Sequence, residues 1–211
     1  MNTLPLQLWL KVFMNGEGRI WLHRAMRQVA FNLSELIGRT VTVDTLRAEI
    51  VPLRALAPTT ADPEAETLAI FLSMADDLPG RAILMLNPSE AMRLTDWLFE
   101  APEGTTTQLG QLEYSALAET GNLTLASFLN TLAELTQNPL RFSAPVISVD
   151  MLATVLQQVI ISVGEITDEL LVIKTDFKEK QETIWLRFWV VPDPAILKAL
   201  DRSQTALVLE T

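Results

Sequence analysis

Arg81-Ala-Ile-Leu-Met-Leu-Asn-Pro-Ser-Glu-Ala91 reads as an apolar strand, a turn marked by proline, and the start of a helix. Ile184-Trp-Leu-Arg-Phe-Trp-Val-Val-Pro-Asp-Pro-Ala195 repeats the pattern about 100 residues later. A period of that size, with the same order of elements in each half, points to an internal duplication. A common strand–Pro–helix pattern occurring twice by accident is the alternative. Each copy joins a second strand to the first: Thr67–Ser73 precedes Arg81–Leu86 across Asp76–Gly80, and Glu169–Phe177 precedes Thr183–Val190 across Lys178–Gln181. Both pairs read as antiparallel hairpins. A hairpin with one apolar face cannot stand alone, so the economical architecture is α/β: both halves in one antiparallel sheet with helices layered on it.

Helices complete the two halves. Leu22, Met26, Val29, Leu33, Leu36 and Ile37 recur at spacings of three and four, predicting a helix over about 19–37 closed by Gly38. Val41-Thr-Val-Asp-Thr-Leu46 starts a strand, followed by a broken stretch around Pro52, Pro58 and Pro63. Asn87-Pro88-Ser89-Glu90 opens a helix that runs to about Phe99, with proline early and the acid near its positive end. A longer helix is expected over about 111–137, interrupted by the weak helix formers Gly121 and Asn122. A short strand near Val146–Val149, a helix from Asp150 to about Ile160 and a closing helix over about 193–200 complete the reading. The division is an N-terminal arm over 1–18 and one domain over 19–211, its repeats spanning about 19–103 and 104–211.

Composition narrows the chemistry. The 211 residues include no cysteine and one histidine, His23. Thiolate metal sites, iron–sulfur clusters and cysteine nucleophiles are therefore excluded, and this subunit has no multi-histidine metal centre. A hydrolytic triad would need His23 in a chain without a G-x-S-x-G elbow. The net charge is −10, distributed as +3 over residues 1–60, −10 over 61–137 and −3 over 138–211. A negative field opposes sequence-independent binding to nucleic acid and to anionic membrane. Leu4–Phe13 is apolar apart from Gln7 and Lys11, but lacks the basic start and cleavage site of a signal peptide and is too short to span a membrane. Leu6, Trp9, Leu10 and Phe13 would share a helical stripe suited to packing on the body or on a second subunit. The expectation is a cytoplasmic protein.

On the second long helix, Ser115, Glu119 and Asn122 fall at i, i+4 and i+7, with Ala126 and Asn130 continuing their face. Leu125, Phe128, Leu132 and Leu135 lie opposite and are expected on the sheet. One carboxylate and one carboxamide make neither a metal cage nor a nucleophile–base pair. They suit assistance to a partner's chemistry: an amide donates and accepts together, holding a water while touching a phosphoryl oxygen. Gly121 and Ala126 leave room for close approach. From spacing alone, the row is also the ordinary solvent face of an amphipathic helix.

Ala116-Leu-Ala-Glu-Thr-Gly-Asn-Leu-Thr-Leu-Ala-Ser-Phe-Leu-Asn-Thr-Leu132 resembles the signature helix of the CheC-type chemotaxis phosphatases, relatives of CheX and of flagellar-switch domains. The family pattern of Asp or Ser, three residues, Glu, two residues, Asn, twenty-two residues and Pro is met by Ser115, Glu119, Asn122 and Pro145. The similarity is strong over 111–203 and diffuse over 19–100. The resemblance implies a pseudo-twofold fold with two long helices on a sheet. It also implies phosphatase activity on the aspartyl phosphate of a CheY-like receiver in chemotaxis signalling. In that scheme Glu119 contacts a receiver lysine, and Asn122 enters the receiver's acidic pocket to position the attacking water. The partner brings Mg²⁺, and no metal is bound here. Some relatives associate with CheD, a further possible partner.

The first half departs from the pattern. Aligned on the family's first-helix ending, Ile20 takes the Glu position and His23 the Asn position, and Leu46 stands where the proline would be. That first site is degenerate. Two functions follow: a single-site receiver phosphatase, or a non-catalytic module that binds phosphorylated receiver as flagellar-switch or adaptor proteins would.

Overall fold

The computed structural model describes residues 17–52, 55, 62–75, 80–136, 141–163, 169–179, 182–184 and 187–192. Helix α1 spans Glu17–Ile37, followed by β1 (Val41–Pro52), β2 (Glu66–Ala75), β3 (Gly80–Leu86) and α2 (Pro88–Leu98). Helix α3 (Gln111–Thr136), β4 (Arg141–Phe142), β5 (Val146–Met151), α4 (Leu152–Val163), β6 (Glu169–Glu179), β7 (Glu182–Ile184) and β8 (Arg187–Pro192) complete it. The expected arm, the 76–79 turn, the expected helix at 193–200 and the side chains of Leu132 and Leu135 lie outside the described residues.

Every described strand pairing is antiparallel. One hydrogen-bonded sheet has the order β1-β6-β7; the other runs β4-β2-β3-β8, with β5 also on β2. Strand β6 lies alongside β8, so the two sheets continue one another. The order β1-β6-β8-β3-β2-β5 maps onto itself when β1 exchanges with β5, β6 with β2 and β8 with β3. An approximate twofold axis therefore passes between β3 and β8, whose register pairs Ile83 with Trp189. The duplication expected from Arg81–Ala91 and Ile184–Ala195 appears as this topological symmetry.

The alternation of the central strands builds two cores. Leu68, Ile70 and Leu72 of β2, with Ala82, Leu84 and Leu86 of β3, face α1, α2 and α3. Ala69, Phe71, Ile83 and Met85 face the opposite way, under Leu152, Val155, Leu156 and Val159 of α4. Strands covered on both faces read as continuous apolar runs, as 67–72 and 82–86 do.

Local chemistry sets the helix ends. Gly38 adopts φ 64°, releasing the chain after α1 into β1. Asn87 caps α2: its side chain accepts from Glu90 N at 2.8 Å, and the Glu90 carboxylate accepts from Asn87 N at 3.3 Å. At the start of α3 the Glu113 carboxylate accepts from Gly110 N at 2.8 Å. Between these helices, buried Asp96 gathers the loop, accepting from Gly104 N and Thr106 N at 2.7 Å each.

Two boundaries differ from expectation. Asp150 lies in β5, where it pairs with Thr67, and α4 begins at Leu152. Helix α3 runs unbroken through Gly121 and Asn122, because burial of this stretch offsets the roughly 1 kcal/mol propensity cost of one glycine. The two-residue strand β4 gives no sequence signal.

Candidate functional site

Helix α3 is fixed on its core face and along one flank. Leu117, Leu125, Phe128 and Leu129 are buried in the core. Helix α1 flanks it: Asn32 Nδ2 donates to Ser127 Oγ at 2.9 Å, and the Trp21 and Phe128 rings meet edge-on with centroids 5.8 Å apart. Trp21 Nε1 donates to the Thr131 carbonyl at 3.3 Å. The buried hydroxyls of Thr120, Thr124 and Thr131 donate to the carbonyls of Ala116, Thr120 and Ser127, each four residues back, so the helix meets its own polar groups.

Gly121 decides the height of α3 above the sheet. A Cβ built there would lie 2.6 Å from Ile70 Cδ1, 2.7 Å from Cγ2 and 3.1 Å from Cβ. The expectation that Gly121 leaves room for a partner is thus corrected: its open side faces β2 and is filled by Ile70. Asn122, the next residue, is held at the height this contact sets.

The predicted row takes up the remaining face. Ser115 and Glu119 are exposed, Asn122 and Ala126 half-buried, and Asn130 exposed. Ser115 Oγ donates to the Gln111 carbonyl at 2.8 Å. The Glu119 and Asn122 side chains make no hydrogen bond or ion pair with another described residue. One helical turn apart, they sit with Cβ atoms about 5–6 Å from each other. A carboxylate and an amide with unspent hydrogen-bonding capacity are thereby presented together.

Half-buried Pro145 lies in the 143–145 segment leading into β5. Ser143 N donates to the Ser73 carbonyl at 2.9 Å, and Ser73 N to Ser143 Oγ at 3.1 Å, tying the segment to β2. Strand β5 packs beside α3, so Pro145 opens the strand that borders the row. Ile20 and His23 sit apart on the outer face of α1, Ile20 72% exposed and His23 exposed. The alternation of Val146–Met151 also brings exposed Val149 and Met151 to the sheet face that carries α3. Sequence reasoning took no account of them, although the period-two pattern was present.

Asp96 is the described group with a displaced titration. Burial pushes its carboxyl up, but hydrogen bonds from the Thr106 hydroxyl and the N–H groups of Thr106, Gly104 and Thr105 outweigh that, holding it below its ordinary value. It organises the loop leading into α3 and has no place on the Glu119–Asn122 face. Among the described residues no group of three or more His, Asp or Glu side chains is placed to hold a metal ion. None of the described helices is long and apolar enough to cross a membrane.

No protein-family model matches the chain. Over 165 residues, 76% of this chain and 79% of the relative, it is 24% identical to the CheY-P phosphatase CheC of Bacillus subtilis. The chain is CheC-like. Its fold is shared with Thermotoga maritima FliY, at a TM-score of 0.68 and 19% identity over 98% of this chain and 99% of that one. The FliM middle domain of H. pylori follows at 0.64 and 13%, covering 90% and 98%. The CheC-like chain thus shares the architecture of these FliY and FliM structures, a mixed α/β fold with antiparallel strands.

Proposed function

We propose that this CheC-like protein is a phosphatase that removes the aspartyl phosphate from a CheY-like receiver in chemotaxis signalling. The observation that carries the reading is the pair Glu119 and Asn122, presented one turn apart with no partner among the described residues. Its support from outside the chain is the similarity to the CheY-P phosphatase CheC. Hydrolysis of an acyl phosphate needs an in-line water and stabilisation of charge on the phosphoryl oxygens. The Asn122 amide accepts a hydrogen bond from the water with its oxygen and donates toward the phosphoryl group with its nitrogen. Glu119 pairs with a receiver lysine and fixes the approach. Mg²⁺ belongs to the receiver in this scheme and neutralises the phosphoryl group there.

The test is decay of receiver acyl phosphate with Mg²⁺, with and without the protein. Wild type shortens the phosphate lifetime, Asn122→Ala abolishes the gain, and Glu119→Ala strongly reduces it. Equal lifetimes with wild type and Asn122→Ala would refute the proposal. A second reading, a binding module without turnover, draws on the FliM-like fold and on Ile20 and His23 at the first-half positions. It predicts association with phosphorylated receiver and no change in its lifetime.

A further inference from the structure

The Glu119–Asn122 pair is framed by exposed apolar side chains from two elements. Leu112 and Leu123 of α3 are 67% and 43% exposed. They stand seven residues before and four after Glu119, on the same stripe of the helix. On β5, Ile147, Val149 and Met151 point to one face of the sheet. Ile147 packs against the core beneath α3 and pairs with Ile70, the residue under Gly121. Val149 and Met151 continue that row outward and are 39% and 54% exposed.

Their side of α3 is the side of Asn122. Helix α1 occupies the other flank, where Trp21 reaches the Thr131 carbonyl. Asn122 is nine residues from Thr131, or about 180° around the helix. The amide therefore lies on the flank turned away from α1, toward β5.

Charge supports an apolar mode of contact. No Lys or Arg occurs between Arg93 and Arg141, or between Arg141 and Lys174, so α3, β5 and α4 contain no basic residue. A phosphorylated receiver pocket is itself acidic. These elements offer no cation to an acidic pocket, so beyond the Glu119–lysine pair the contact area falls to exposed large apolar side chains around a polar centre.

We propose that Val149 and Met151, with Leu112 and Leu123, form an apolar rim on which the receiver docks so that its phosphoryl group meets Asn122. The proposal rests on the phosphatase reading and adds how that substrate is held. The rim residues position the receiver and take no part in the chemistry. The receiver this site accepts carries an apolar surface beside its phosphorylation pocket.

The experiment measures binding of a beryllofluoride-loaded receiver, which mimics the phosphorylated form without turning over, alongside steady-state dephosphorylation. Val149→Asp with Met151→Asp is expected to weaken binding and raise KM at least about tenfold while kcat is retained. The milder Val149→Thr with Met151→Gln, suited to an edge strand, shifts KM in the same direction and guards against a folding defect. From about 0.05 to about 0.5 M salt, wild-type affinity changes by no more than a few-fold, because screening weakens the single Glu119–lysine pair while relieving like-charge repulsion. Asn122→Ala fails to turn over, and the rim variants weaken its residual binding as they weaken that of wild type. Wild-type affinity in both rim variants, or a steep loss of wild-type affinity with salt, overturns the rim and leaves the phosphatase reading intact. Rim-dependent binding without any turnover by wild type overturns the phosphatase reading and upholds the rim.

Discussion

Gly121→Ala places a methyl group where Ile70 already stands. Its carbon would meet Ile70 Cδ1 at 2.6 Å and Cγ2 at 2.7 Å, about 1 Å inside ordinary carbon–carbon contact. The Cδ1 end can swing aside, but Cγ2 moves only if the stiff β-branched χ1 turns, and Cβ is fixed on the β2 backbone. Relieving the overlap therefore means lifting α3 or distorting β2, an overpacking cost of about 1–3 kcal/mol. Alanine returns about 1 kcal/mol of helix propensity. With Cβ fixed and Cγ2 able to move only by χ1 rotation, the upper half of that overpacking range applies, and less the propensity gain it leaves a net destabilisation of about 1–2 kcal/mol. At this chain length that lowers Tm by roughly 2–8 °C. Thermal and urea denaturation followed by circular dichroism measure it. A double-mutant cycle isolates the cause: Ile70→Ala alone costs about 2–5 kcal/mol, and in the Gly121→Ala background it costs less, with a coupling of about 0.5–3 kcal/mol. Because Asn122 follows Gly121, lifting the helix also moves the amide, and a displacement near 1 Å lowers kcat about 100-fold. Gly121→Ala melting at or above wild type, with an additive cycle, would refute this account of helix height.

Two further predictions concern the loop into α3 and the first half. Asp96→Asn is expected to cost about 1–3 kcal/mol at neutral pH, since an amide cannot replace a carboxylate accepting several backbone N–H bonds. The folded carboxyl titrates below its unfolded value near 3.8, so its contribution is full above that value and lost as pH falls through the folded pKa; urea melts of wild type and variant should converge in that acid range, and a constant gap would contradict the assignment. Ile20→Glu with His23→Asn changes exposed side chains and should shift stability by no more than about 0.5 kcal/mol. In an Asn122→Ala background it should not restore turnover, and measurable recovery in the phosphate-decay assay would show the pair to be sufficient.

Much of this organisation is legible in the letters, for physical reasons. The stripe from Leu22 to Ile37 and the runs 67–72 and 82–86 are long and strongly patterned, so burial alone identifies them. Asn87-Pro88-Ser89-Glu90 specifies a helix start because the cap depends on residues within one turn. Legibility fails where a residue's role depends on a distant partner. Gly121 reads as a helix weakness, and only the position of Ile70 some fifty residues earlier shows it as a contact. Asp150 reads as a helix cap because acids are common there, yet its pairing with Thr67 makes it part of a strand. The Glu119–Asn122 row was visible as a helical face, while the bordering Val149 and Met151 required knowing that β5 pairs with β2 on the α3 side.

The two halves differ beneath the surface as well as on it. In the alignment that puts Ile20 over Glu119 and His23 over Asn122, Leu22 falls over Gly121. Leu22 is 1% exposed, a full side chain inserted between α1 and the sheet where α3 has none. A leucine needs space between helix and strands that a glycine does not, so the two helices are seated by different side chains at these matched positions. The neighbouring position differs too: Trp21 meets Phe128 edge-on and reaches the Thr131 carbonyl, whereas its counterpart Thr120 turns its hydroxyl back on its own helix. The absence of a Glu–Asn pair at these positions of the first half thus goes with different packing beneath them. Placing Glu and Asn at positions 20 and 23 would therefore add the two side chains without the glycine contact that seats Asn122, which is why no recovery of turnover is expected from that pair of substitutions.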